Sequence, residues 1–339
     1  MLNEDMRTGG NKDVKNKLPG VLPLAAIFAG AVFAAPAFAQ SGYPTKPIRL
    51  LVPFGPGGVG DITSRAVMQK MGEAMNQQII IDNRPSAGGI VATETVAKSE
   101  PDGYTLYLMN NTNAVSAAMF KKLPYDTLKD FAMVSTIGAF SLGVLVSPDS
   151  PAKTVKELIA QAKASSGKFN IGTINIGTTQ FLSSELLKSM AGLDAATVPF
   201  NNTAGVLTAL RGGSVQVALE FLPPVLGQVR ANSLRLIAVT SRTRFALLPD
   251  VPTLDESGLP GYEVNSWNGI AVAANTPKAL VERLNREIHA AVNSPQIRQR
   301  FQELGVNQNL STPDGMKKLL VDEIAKWNAL IDKANIPRL

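Results

Sequence analysis

Ile48-Arg-Leu-Leu-Val-Pro-Phe-Gly-Pro-Gly-Gly-Val-Gly-Asp-Ile-Thr-Ser-Arg65 is the stretch whose reading organises the rest of the chain. Ile48 to Val52 is short, apolar and rich in branched side chains, which reads as a buried strand. Pro53, Gly55, Pro56, Gly57, Gly58 and Gly60 then crowd together, and such a cluster predicts a tight turn poor in side chains. After Asp61, apolar residues at Ile62, Ala66, Met68 and Met71 predict a helix. Strand, glycine turn and helix start together aim bare backbone N–H groups at a ligand, and the helix dipole there favours negative charge. Three readings stand on spacing alone. The turn holds an anion; or Gly55-x-Gly57-x-x-Gly60 is a dinucleotide fingerprint with Asp82 as its ribose-binding acid; or the turn merely packs on its helix.

Outward from this stretch, the N-terminus has the pattern of an exported protein. Arg7, Lys12, Lys15 and Lys17 precede a nearly unbroken apolar run from Leu18 to Ala35, and Ala37-Phe38-Ala39 gives a small-x-small cleavage pattern. Residues 1–39 are therefore expected to be a signal peptide, cleaved near Ala39, with the mature protein in the periplasm. Pro19, Pro23 and Pro36 and the marginal length argue against a membrane anchor. The chain has no cysteine, which removes disulfides, thiol catalysis and thiolate metal sites. Lys+Arg number 33 against 27 Asp+Glu; without the leader the balance is 29 − 24 = +5. Those charges are scattered and aromatics are 6%, a composition unlike that of nucleic-acid binders. His289 is the one histidine and lies in a helical run, so it is expected to be a surface or helix-packing residue. A histidine metal site or a Ser-His-Asp triad is hard to build from it.

Along the chain, apolar runs alternate with helical patterns: Gln78–Ile81, Tyr104–Met109, Leu142–Val146, Phe169–Gly172, Ala196–Phe200, Val215–Leu219 and Leu234–Val239 as strands, and Trp267–Ala274 as a further apolar run. Helices are predicted over 92–98, 155–164, 181–191, 204–211, 278–292, 297–304 and 315–334. This alternation predicts an α/β fold with mostly parallel sheet. Strands end in small or amide residues, as at Asn110, and in such sheets ligands collect at those ends. The pattern restarts near Gly143 and resumes near Asn265. Two crossings between lobes are expected there, with one lobe at 41–143 plus 266–339 and the other at 144–265.

Several motifs in order then carry a resemblance: Tyr43-Pro-Thr-Lys-Pro-Ile, Pro53-Phe-Gly-Pro-Gly-Gly with Asp61, Asn83-Arg-Pro-Ser-Ala-Gly-Gly, Pro101-Asp-Gly-Tyr-Thr-Leu, Lys122-Leu-Pro-Tyr-Asp, Leu248-Pro-Asp-Val-Pro-Thr and Gly258-Leu-Pro-Gly-Tyr. From Tyr43 to near Ile336 the chain resembles the Bug-type extracytoplasmic solute receptors, the substrate-binding proteins of tripartite tricarboxylate transporters. The resemblance implies a two-lobed, type II-like periplasmic binding protein with two crossover strands, closing by a hinge on a small organic carboxylate held by backbone amides and water. It implies no catalysis, cofactor or metal, a monomer, and delivery to a membrane transporter or to a sensor kinase. Carried over by residue, one clamp is Phe54, Pro56, Gly57, Gly58 and Asp61, supported by Ser86 and Gly88. The opposing clamp is the loop Thr173 to Gln180, with Asn175, Gly177, Thr178 and Thr179. Phe200, Asn201 and Glu220 complete the set.

This second clamp departs from the family pattern. Asn175 replaces a usual glycine, Phe181 a usual histidine, Phe200-Asn201-Asn202 a usual Tyr-Lys-Gly, and Glu220 a usual aspartate. The changes remove cationic and protonatable groups, which makes a mono-acid or a partly apolar or aromatic acid more plausible than a compact di-acid. A bulky residue at Gly58 is expected to block the ligand carboxylate, with added strain if φ there is positive. Two rivals from another class, a nucleotide-dependent oxidoreductase and a carboxylate esterase, have less support. An exported chain that folds after translocation meets little NAD, and the sequence has no G-x-S-x-G elbow.

Overall fold

In the computed structural model, which describes residues 42–165 and 167–339, the opening strand is β1 (Ile48–Val52). The expected signal peptide and its cleavage point lie outside the described residues. Ile48, Leu50, Leu51 and Val52 lose all contact with solvent, each stabilising the fold by roughly 1.5–3 kcal/mol. α1 (Val59–Met75) lays Val67, Met68 and Met71 against the sheet and ends at Asn76, whose φ of 49° is a turn asparagine tolerates. β2 (Ile79–Asn83), α2 (Ile90–Ala97), β3 (Thr105–Asn110) and α3 (Asn111–Met119) follow. β2 and β3 flank β1, both parallel to it.

β4 (Phe131–Val146) is the longest strand, and it belongs to both halves of the molecule. Its residues Phe131 to Ser141 pair antiparallel with β9 (Asn265–Ala273), which in turn pairs antiparallel with β3. From Leu142 onward β4 pairs instead with β7 (Val217–Phe221) and β8 (Arg235–Val239). The second half is another parallel trio, β7-β5-β6, with β5 (Phe169–Ile174) central and β6 (Ala195–Phe200) at the edge. α4 (Val155–Ala164), α5 (Thr179–Ala191), α6 (Thr203–Arg211) and α7 (Leu222–Arg230) belong to this half. α8 (Lys278–Asn293), α9 (Pro295–Leu304), the short β10 (Asn307–Gln308) and α10 (Pro313–Lys333) return to the first half. The fold is thus a two-lobed α/β architecture, parallel within the βα units of each lobe and antiparallel where β4 and β9 join them.

Sequence reading found only the last five residues of β4 and missed α3 and α7 as helices. α7 begins Leu222-Pro223-Pro224, and prolines fit there because N–H groups in a first helical turn lack helical partners anyway. His289 does pack its helix: its Nε2 lies 3.1 Å from both Ser135 Oγ and the Ser311 carbonyl, tying α8 to β4 and to the segment before α10. Ser135 is fully buried and also donates to backbone carbonyls, so the pair is a packing contact. No helix among the described residues is long and apolar enough to cross a membrane.

Candidate functional site

The turn after β1 is fixed from within. Gly57 has φ 82°, where a side chain would be strained. Gly58 has φ −78°, so the conditional strain argument does not apply at Gly58. Asp61, 3% exposed, accepts the Gly57 N–H at 3.0 Å, Arg65 Nε at 2.9 Å and Asn83 Nδ2 at 3.0 Å. Burial pushes its carboxyl upward, but the donors from Arg65, Gly57 and Asn83 outweigh that and hold it below the ordinary carboxylate range. Asn83 also donates to the Phe54 carbonyl at 3.0 Å. Asp61 therefore shapes the turn. Asp82, the acid a dinucleotide would need, is paired with Arg49 and Arg84.

Three helix starts meet near this turn. The first bond of α1 runs from Ile62 N–H to the Gly58 carbonyl, so the amides of Val59, Gly60 and Asp61 have no partner within the helix. α5 starts at its cap Thr178, whose hydroxyl accepts Phe181 N–H at 3.2 Å and lies 2.9 Å from the Ile174 and Asn175 carbonyls. α6 starts at its cap Asn202, whose Oδ1 accepts Gly205 N–H at 2.8 Å. Thr178→Ala is therefore expected to cost about 1 kcal/mol of stability through loss of the cap, read as a lower urea midpoint. Its effect on ligand binding then runs through the helix end rather than through a lost hydroxyl contact.

The two lobes touch at several points. Gly88 N–H donates to the Ile176 carbonyl at 2.7 Å, and Ser116 Oγ lies 2.9 Å from the Gly88 carbonyl and 3.2 Å from that of Gly177. Asn111 Nδ2 reaches Thr179 Oγ1 at 3.3 Å and the Asn265 carbonyl at 3.2 Å, while its Oδ1 accepts Trp327 Nε1 at 3.0 Å. Gly55 runs so close to Asn201 and Asn202 that an added Cβ would sit 3.0 Å from Asn202 Cβ.

Between these contacts lies a cavity of about 20 Å³, room for about one water. Its first wall is the turn itself: Phe54, Gly55, Gly58, Val59 and Gly60. Opposite stand Ile174, Gln180, Asn201, Asn202, Thr203, Glu220 and Phe221. None of these residues is a lysine, arginine or histidine. Glu220 is 1% exposed; its Oε1 accepts Gln180 Nε2 at 3.1 Å and Phe221 N–H at 2.9 Å. Burial pushes the Glu220 carboxyl up to about 7, against the hydrogen bonds from Phe221, Gln180 and Thr203 that favour its charged form.

Of the residues singled out from sequence, Phe54, Gly58, Asn201 and Glu220 stand on this wall. Pro56 and Gly57 are exposed beside it, and Phe200 is partly exposed at the end of β6. Gly88, Gly177 and Thr179 join the lobes, Thr178 caps α5, and Ser86 Oγ accepts Val91 N–H near the start of α2. Asn110 is fully engaged in the reciprocal cap of α3. Asn175 donates its backbone N–H to the Phe200 carbonyl, and its Nδ2 has no partner. Gln180 closes the loop expected as the second clamp, whereas Asn202 and Thr203 were not among the candidates. Their signal was positional, because the first residues after a capping Thr or Asn share the cap's exposure to the cleft.

A parallel trio in each lobe, antiparallel strands joining them, and helix starts converging on the gap define a two-lobed solute-binding fold. The chain belongs to the tripartite tricarboxylate transporter family receptors, whose family pattern matches residues 63–336, beginning within α1. It is similar to the protein BugT of Bordetella pertussis, 32% identical over 314 residues that cover 92% of this chain and 96% of BugT. Two solved structures share the fold. The periplasmic binding protein BugD aligns at TM-score 0.84 and 27% identity, over 88% of this chain and 100% of its own. An R. palustris protein with adipate aligns at TM-score 0.84 and 30% identity, again over 88% and 100%. Family members are solute receptors of the periplasmic binding type rather than enzymes.

Proposed function

We propose that this protein is an exported receptor that captures a small organic carboxylate between its lobes by hinge closure and delivers it to a tripartite tricarboxylate-type membrane transporter. The lobes in this reading are 41–143 with 266–339, and 144–265, the signal peptide being removed near Ala39. One observation carries the proposal: the starts of α1, α5 and α6, contributed by both lobes, converge on one inter-lobe cavity whose wall holds no cationic side chain. Unpaired amides and helix dipoles then supply the positive potential an anion needs. Each hydrogen bond to the bound charge contributes roughly 1.5–3 kcal/mol. Adipate in the R. palustris relative supports the carboxylate class.

Hinge closure follows from the division of the site, because a ligand touching both lobes stabilises the closed form and one touching a single lobe favours neither. The test is a thermal-shift screen against aliphatic and aromatic carboxylates, with small-angle scattering on the tightest ligand. A binder is expected to raise the melting temperature and lower the radius of gyration. A screen without a binder overturns the carboxylate reading. A binder that leaves the scattering unchanged overturns closure.

A further inference from the structure

Away from the cavity, one side chain spans the meeting of the lobes in a single possible orientation. Asn111, Thr179 and Trp327 are each fully buried, and none of them lines the cavity. Asn111 is the first residue of α3 and Thr179 the first of α5, so the positive ends of two helix dipoles come together where these side chains meet. The polarity of the neighbours decides which way the Asn111 amide points. An indole N–H can only donate, and a backbone carbonyl can only accept. Trp327 Nε1, at 3.0 Å, therefore takes Oδ1, and the Asn265 carbonyl, at 3.2 Å, takes one N–H of Nδ2. The other N–H is left for Thr179 Oγ1, at 3.3 Å. Turning the amide over would set donor against donor at Trp327 and oxygen against oxygen at Asn265.

We propose that Asn111 is a positioning residue for capture: oriented by Trp327, it clasps Thr179 when the lobes meet and slows release of the bound carboxylate. This rests on the hinge-closure reading above. Thr179 stands between the cap Thr178 and Gln180, a residue of the cavity wall. Holding Thr179 therefore holds the start of α5 in place beside the cavity, although the clasp itself touches nothing inside it. A contact made only in the closed form stabilises that form alone, so losing it speeds opening and leaves the first encounter with the carboxylate unchanged. Trp327 belongs to α10, near the end of the chain, so the C-terminal helix of one lobe sets how firmly the other is held.

The test is stopped-flow fluorescence with adipate, malate and benzoate, the tightest of the three being carried into the variants. Thr179→Val and Asn111→Ala are each expected to release it roughly three- to tenfold faster, with association unchanged. Their combination should release it no faster than Asn111→Ala alone, because the two changes remove one shared contact. Thr179→Ser keeps the hydroxyl and should keep the wild-type rate. Trp327→Phe, which removes only the donor that orients the amide, should weaken binding in calorimetry. Circular dichroism checks that each variant folds; if Asn111→Ala does not, Trp327→Phe takes its place in the combination, with calorimetry as the readout. Effects of Thr179→Val and Asn111→Ala that simply multiply overturn the inference, since Thr179 then acts on the carboxylate directly. Unchanged release in folded variants also overturns it and leaves the carboxylate reading intact. If none of the three acids binds, the carboxylate reading falls and the clasp with it.

Discussion

Gly177→Val is expected to weaken capture of the tightest carboxylate by roughly 100-fold, about 2.7 kcal/mol, while both lobes stay folded. Gly177 has φ 77°, and a Cβ placed on it would sit 2.4 Å from Phe120 Cε2 and 3.2 Å from the Gly88 Cα. Under the proposed hinge closure, the ring and the Gly88 backbone stand on one lobe and Gly177 on the other, so this clash burdens only the closed arrangement. A branched residue in left-handed backbone adds about 1–2 kcal/mol of strain that burdens open and closed forms alike. The two effects separate by measurement. Urea denaturation reads the backbone strain, and calorimetry of the carboxylate reads the closure penalty. Adding Phe120→Ala is expected to restore part of the affinity and none of the stability. Wild-type affinity in Gly177→Val would show that binding does not need these lobes to meet.

Stability should fall as pH rises from about 4.5 to about 7, by roughly 3 kcal/mol, through Glu220 alone. Its carboxyl titrates near 4.5 when unfolded and near 7 when buried, so across that interval the folded chain holds a proton the unfolded chain has released. Folding is then favoured most below 4.5 and loses this contribution as the pH passes 7. Asp61 shifts the opposite way, and its contribution disappears only in acid, below the window in question. Urea titrations at several pH values on wild type and Glu220→Gln isolate the effect. The amide variant should lack this decline, and an identical slope in both proteins would place Glu220 in contact with solvent.

What was legible in the sequence tracks how local its cause was. The strand, glycine turn and helix at Ile48–Met75 declare themselves through neighbours in the chain, and their bounds follow to within a few residues. Helix 155–164, read from its amphipathic pattern, matches α4 to its ends, and the structure adds a capping box between Thr154 and Glu157 at its start. β4 hid most of its length for a physical reason. Its pairing with β9 shifts register between Met133 and Ser135 and again between Thr136 and Gly138, which breaks the two-residue alternation. Gly138 is required where an added Cβ would meet Val306 at 2.7 Å, a contact across 168 residues of sequence. The candidate site was half legible for the same reason. Phe54 and Gly58 lie in the turn between β1 and α1 and Glu220 near the end of β7, whereas the cap at Asn110 and the Asp61 network look like ligand groups until their partners are seen.

β9 has a consequence for the order in which this molecule can be built. It lies between β3 and β4 at the heart of the first lobe, yet it is made after the whole of the second. While the ribosome is still short of residue 265, the edge of β3 from Tyr107 to Asn110 is without its native partner. The first lobe is therefore incomplete until translation is nearly over, and its pairing depends on contacts distant in sequence, which form slowly. Such a chain emerges in a loose state by construction, which exposes it to aggregation meanwhile. Topology here acts as a timer.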